Sequence, residues 1–148
     1  MTLFALKINN ISHLIPTSPD FHASLFVDDL QLGCRGPDVW ALQAKLQRCL
    51  DYLVEWTHTN GFKFSPAKTK VVHFTHLQGM HPDPDLRLDN VTLPYVPSIK
   101  FLGLLWDTRL TWRGHVSTLQ GECKKLLGLL RSISSHDWGA DQYGLLKI

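Results

Sequence analysis

Between Asp38 and Gly61 the apolar residues Val39, Leu42, Leu46, Cys49/Leu50, Leu53 and Trp56 recur at intervals of three and four. That spacing predicts an amphipathic helix of about six turns. Gly36-Pro37-Asp38 is a suitable entry, since proline is tolerated in the first helical turn. Asn60-Gly61 closes it with residues that adopt a left-handed backbone readily. A helix with one apolar stripe of this length must pack on something flat. The strand-like segments beside it are the candidate, so the chain is expected to be α+β.

The segment before the helix supplies the first such surface. Ser24-Leu25-Phe26-Val27-Asp28-Asp29-Leu30-Gln31-Leu32 is an apolar run, two adjacent aspartates, and a second, alternating run. It reads as a hairpin over residues 21–34 with the aspartates at its tip. Carboxylates held there by strands can ligate hard divalent cations such as Mg²⁺, which take oxygen donors. Further upstream, Leu3, Leu6, Ile8 and Ile11 share a helical face, with no cap ahead of it, and Pro16, Ser18, Pro19 and Asp20 mark a polar loop.

Downstream of the helix, Phe62 and Phe64 alternate with Lys63, Ser65-Pro66 interrupts, and residues 68–74 resume as a second strand. Lys63, Lys68 and Lys70 make this stretch locally basic, with no acid between Phe62 and Phe74. Two prolines make residues 80–85 a loop. Residues 86–93 read as a small hairpin turning at Asp89-Asn90. Residues 99–106 form a third apolar strand region containing Gly103, a position that often marks close approach of another backbone or a ligand.

The last segment changes character. Trp112, Val116, Leu119, Cys123, Leu126, Leu130 and Ile133 follow a heptad-like alternation on a long helix, with Lys124, Lys125 and Arg131 off the stripe. Gly114, Gly121 and Gly128 fall seven apart on another face, where close contact with a partner backbone would account for them. Asp137-Trp138-Gly139 breaks the pattern, and residues 140–148 begin another helix.

Bulk properties narrow the class. A length of 148 residues suits one domain, or one and part of a second, and 44% hydrophobic with 19% charged residues suits an ordered fold. A net charge of +2 with eight histidines is too mild to identify a nucleic-acid partner by itself. Cys34, Cys49 and Cys123 are far apart and odd in number, which favours reduced thiols in an intracellular compartment. No signal peptide is evident, and no apolar run reaches the ~20 residues that span a bilayer, so a soluble protein is expected.

Taken in order, the motifs resemble the reverse transcriptases of non-LTR (LINE-type, jockey-like) retrotransposons. SLFVDDL (24–30) resembles the palm motif that bears an aspartate pair, with Phe26 where tyrosine is common. NGFKFSPAKTKVVHF (60–74) is similar to the lysine-bearing motif that follows it, and SIKFLGLLWDTRLTW (98–112) to the primer-grip hairpin and entry to the thumb. HDWGADQYGLLKI (136–148) resembles the next part of the thumb.

The resemblance implies a partial polymerase palm of antiparallel strands and packed helices over 1–108, followed by a helical thumb segment over 109–148. It implies phosphoryl transfer assisted by Mg²⁺ or Mn²⁺, with Asp28 as the inner metal ligand, Asp29 in a secondary role and Lys68 approaching the leaving phosphates. Phe26 and Val27 at the tip, and Phe101, Leu102 and Gly103 along the primer, would contact substrate. Lys124 and Lys125 would meet the phosphates of an RNA template–DNA primer duplex, with dNTP as the other substrate.

The family's earlier aspartate-bearing strand, fingers and endonuclease have no counterpart in the sequence. The 148 residues are therefore expected to be inactive alone and to bind no metal tightly. The alternative is a non-catalytic remnant that binds nucleic acid or a partner.

Each feature also has a plainer reading. Adjacent aspartates are common hairpin-turn residues, and surface lysines are usually solvated. Phe101 and Leu102 suit a core. His73, His76 and His81 lack the spacing of a zinc site, and Asp83 and Asp85 flank a loop proline. The heptad stripe suits packing within the fold as well as a coiled coil.

Overall fold

The computed structural model describes residues 2–16, 18–76 and 82–133. The chain divides into two compact units, Met1–Pro97 and Ser98–Ile148. Both are mixed helix and strand, and among the described residues the strand pairs are antiparallel, as expected for α+β.

In the first unit, helix α1 (Thr2–Asn9) runs into a 3₁₀ turn (Asn10–His13). Strands β1 (Phe21–Phe26) and β2 (Asp29–Cys34) then form a hairpin in the register Phe21↔Cys34 to Phe26↔Asp29. Alternation sorts its side chains. Phe21, Ala23, Leu25, Leu30, Leu32 and Cys34 share the face toward the core, while His22, Ser24, Phe26, Asp29 and Gln31 lie on the other.

Helix α2 (Val39–Asn60) is the one that the apolar spacing predicts. The Asp38 carboxylate accepts from the Trp40 N–H at 2.9 Å, an N-cap of the kind that contributes about 1 kcal/mol. Gly61 ends the helix at φ 71°, its N–H donating to the Thr57 carbonyl. The buried stripe is Cys49, Leu50, Leu53 and Thr57. Thr57 is compatible with burial because its hydroxyl donates to the Val54 carbonyl at 2.7 Å.

Two clusters meet on this helix. One joins Cys49 and Leu53 to Ile11 and Phe21, and the other joins Leu50 to Val71, Leu86, Leu88 and Leu93. Gln47 fastens the far side. Its side-chain oxygen accepts from the Arg87 N–H at 2.8 Å and its amide donates to the Arg87 carbonyl at 3.0 Å. A helix side chain thus takes the place of a neighbouring strand.

One expectation is corrected here and another is met. Residues 62–64 and 68–74 form no strand pair; Val71 alone makes a bridge, to Tyr95, with its N–H on the Pro94 carbonyl at 3.0 Å. The Ser65 carbonyl accepts from the Lys68 and Thr69 N–H groups at 3.1 and 3.0 Å, which curls the backbone out of any extended run. The small hairpin does form, as β3 (Arg87–Leu88) and β4 (Val91–Thr92). Its turn residues Asp89 and Asn90 are both left-handed, at φ 51° and 62°.

The second unit contains another hairpin and a helix. Strands β5 (Ser98–Phe101) and β6 (Leu104–Asp107) turn at Leu102 (φ 47°) and Gly103 (φ 84°). The apolar strand region over 99–106 is thus a hairpin, the form that the resemblance of residues 98–112 implies. Gly103 serves this turn, and among the described residues no atom beyond its chain neighbours lies within 4 Å of where its Cβ would be. Helix α3 (Arg113–Ile133) packs against β6 and buries none of its residues.

Of the three spaced glycines Gly114 is crowded, with the Leu105 Cδ2 atom 3.2 Å from where its Cβ would be; among the described residues nothing beyond the helix's own backbone lies within 4 Å at Gly121 and Gly128. The break at 137–139 and the helix expected over 140–148 lie outside the described residues. All three cysteines are free thiols, and burial pushes the Cys34 and Cys49 thiols above their ordinary range.

Candidate functional site

The tip of the β1–β2 hairpin lies one residue ahead of the aspartate pair. Val27 and Asp28 form the two-residue turn, whereas Asp29 already belongs to β2 and faces Phe26 across the ladder. Of the two turn residues only Val27 has positive φ, at 55°. That is the type II′ pattern, whose first position ordinarily carries glycine. A β-branched residue there is a steric outlier that costs on the order of 1–3 kcal/mol.

The consequence is positional. Asp28 projects from the turn itself, while Asp29 projects from the outer face of the sheet beside Phe26. Both carboxylates are exposed, and Phe26 and Val27 keep 58% and 62% of their surface open to solvent.

Carboxylate oxygens are suitable donors for a hard divalent ion, and this pair is open to one. Among the described residues no group of three or more His, Cys, Asp or Glu side chains gathers to hold a metal. The aspartate pair therefore fits such an ion as part of a ligand set. His73 sits 3.6 Å from Asp83, and His81 lies outside the described residues.

Lys68 lies on the separate loop that closes on Ser65, exposed like Lys63 and Lys70. In the second unit, Phe101 is half-buried, Leu102 and Gly103 are exposed at the hairpin turn, and Lys124 and Lys125 are exposed on α3. The expected site residues thus divide between the units: Phe26, Val27, Asp28, Asp29 and Lys68 in the first, the other five in the second.

The reverse transcriptase (RNA-dependent DNA polymerase) family matches residues 1–105, which takes in the aspartate hairpin, the lysine loop and the second hairpin. The chain belongs to this family. As a reverse transcriptase segment it is 29% identical over 120 residues to the retrovirus-related Pol polyprotein of the type-1 retrotransposable element R1 of Bradysia coprophila. It is 26% identical over 122 residues to a putative 115 kDa protein in the type-1 retrotransposable element R1DM of Drosophila melanogaster. These matches cover 80% and 82% of the chain but 12% of each relative. The chain thus corresponds to part of a reverse transcriptase of a non-LTR element, as its motifs imply. No solved structure matches it significantly.

Members of this family use divalent metal ions and act on nucleic-acid templates with nucleotide substrates. No described helix is long and apolar enough to cross a membrane.

One residue escaped the reading of the sequence. Asp107, at the end of β6, accepts from the Arg109 N–H at 3.0 Å, from the Thr111 N–H at 3.0 and 3.1 Å, from the Thr111 hydroxyl at 3.2 Å and from the Trp112 N–H at 3.1 Å. The bond from Thr111, with those from Trp112 and Arg109, holds its carboxyl below the usual aspartate range. Its contribution to order is therefore complete above the ordinary aspartate range and lost as pH falls through its own lowered value. The available signal was an aspartate followed by Thr, Arg and Leu just ahead of a helix, a common turn-forming context.

Proposed function

We propose that residues 1–108 are part of the palm and residues 109–148 the beginning of the thumb of an RNA-directed DNA polymerase from a non-LTR retrotransposon. The observation that carries this reading is the two-residue hairpin turn that presents Asp28, with Asp29 beside it, in a chain that the family matches over 1–105. Asp28 is the inner ligand of Mg²⁺ or Mn²⁺ and Asp29 a secondary one. A bound divalent ion supplies positive charge against the phosphoryl group in transfer.

The chain's own residues do the remaining work. The exposed Phe26 and Val27 side chains lie beside the carboxylates, where an incoming dNTP and the primer end would be placed. Lys68, on its exposed loop, offers a cation to the leaving phosphates. Phe101, Leu102 and Gly103 brace the primer backbone, and Lys124 and Lys125 meet template–primer phosphates.

Two experiments test this reading. Primer extension by the purified 148-residue chain with Mg²⁺ or Mn²⁺ is expected to show no incorporation, since one aspartate pair does not complete a two-metal site. Incorporation that disappears in Asp28→Ala would overturn that expectation. Binding to a template–primer duplex across a salt series is expected to weaken as salt rises. Lys124→Gln with Lys125→Gln should flatten the log–log slope by about two, roughly one for each phosphate no longer neutralised. An unchanged slope would remove these lysines from the interface. The alternative is a non-catalytic nucleic-acid- or partner-binding role, and absence of salt-dependent binding would argue against a retained nucleic-acid-binding role.

A further inference from the structure

Helix α3 buries none of its residues, so its own core packing does little to fix where it points. What precedes it is held closely. Within the five residues 108–112 two take a left-handed backbone, Leu110 at φ 53° and Trp112 at φ 60°. Neither is glycine, and such residues persist only where their surroundings hold them.

That hold converges on one side chain. Both Asp107 oxygens accept bonds from residues 109–112, and the Asp107 carbonyl accepts from the Leu110 N–H at 2.9 Å. Bonds to an ionised acceptor are about twice as strong as neutral ones. Trp112 then starts the helix, its carbonyl accepting from the Val116 N–H at 2.9 Å. Its ring lies 4.9 Å from that of Trp106 on β6, and Gly114 admits the Leu105 side chain against the first turn.

We propose that Asp107 is a positioning residue that fixes the direction in which α3 leaves the β5–β6 hairpin. It thereby sets where Lys124 and Lys125 stand relative to the hairpin turn at Leu102-Gly103. The clamp concerns the second unit alone. Its use against a template–primer duplex rests on the thumb reading proposed above.

The test compares the full chain with Asp107→Ala and with Asp107→Asn, which keeps one acceptor oxygen. Far-UV circular dichroism reports whether α3 remains helical. Residual dipolar couplings report its direction relative to β5–β6, and amide exchange reports the bonds at Arg109, Thr111 and Trp112. In Asp107→Ala those amides should exchange at least about tenfold faster, with the helical signal kept and the α3 couplings averaged toward a broad range of directions. Asp107→Asn should fall between the two.

In the same variant the salt slope of duplex binding should flatten although both lysines are intact, an effect that loss of stability elsewhere would not produce. Unchanged couplings in Asp107→Ala would overturn the proposal. If that variant loses its helix, Asp107→Asn decides: averaged couplings support the clamp, and wild-type couplings overturn it. Absence of salt-dependent binding by the unaltered chain would remove the thumb reading while leaving the couplings to judge the clamp.

Discussion

Leu53→Ala is expected to destabilise the first unit by about 2–5 kcal/mol, the range for a leucine truncated in a packed core. Leu53 is 1% exposed and lies where α2 meets the 3₁₀ turn through Ile11 and β1 through Phe21. Leu30, Leu32 and Trp56 pack on the same cluster. The hairpin that carries the aspartates is therefore held partly by this one side chain. Small domains have only about 5–15 kcal/mol of total stability, so such a loss is a large share. In urea the midpoint should fall by about 1–2.5 M at unchanged denaturant dependence. A midpoint within error of the unaltered chain would contradict the core assignment. Loss of structure around Phe21 and Leu30 ahead of β3–β4 would show which cluster Leu53 supports.

The second large effect concerns chemistry. In a longer polymerase carrying these residues, Asp28→Ala is expected to lower incorporation by at least about 10³-fold, equivalent to ~4 kcal/mol of barrier. Asp28→Asn should do nearly as much, because it keeps the shape and removes the charge that a divalent ion requires. Asp29→Asn should cost less, since Asp29 leaves β2 on the outer face and not from the turn. Single-turnover primer extension separates these from losses in duplex binding. Equal losses for Asp28→Asn and Asp29→Asn would remove the distinction between inner and secondary ligand.

The parts of this fold that were legible in sequence are those whose pattern is local. The stripe of α2 can be read because Leu46, Cys49, Leu50 and Leu53 face one way at the helical period, whatever they meet. The turn at Asp89-Asn90 can be read because both residues tolerate a left-handed backbone.

Residues 62–74 misled for a physical reason. Phe62 and Phe64 alternate as a strand would, yet Phe62 stacks on Trp56 at 5.2 Å between ring centres, and Phe64 packs on the core clusters. Their spacing serves rings packed beneath a loop, not a ladder. At Leu102-Gly103 the apolar pattern alone reads as one continuous strand region, since apolar residues flank the glycine, and it was the resemblance of residues 98–112 that indicated a hairpin.

The site was legible to the same degree. An aspartate pair between two strand-like runs indicates a carboxylate-bearing hairpin, but nothing in the letters Val-Asp-Asp says which residue turns. A β-branched residue is the last that propensity would place in the left-handed region. Asp107 shows in sequence only as a common turn-forming context, because most of the bonds it accepts come from backbone N–H groups, which the letters do not display.

Val27 bears on how a chain like this responds to selection for robustness. A glycine or asparagine at that position would relieve the backbone, and a search for heat-resistant variants should therefore return such changes early. Each would also widen the range of directions open to Asp28. Thermal endurance and a sharply aimed carboxylate would then be set against one another at a single codon.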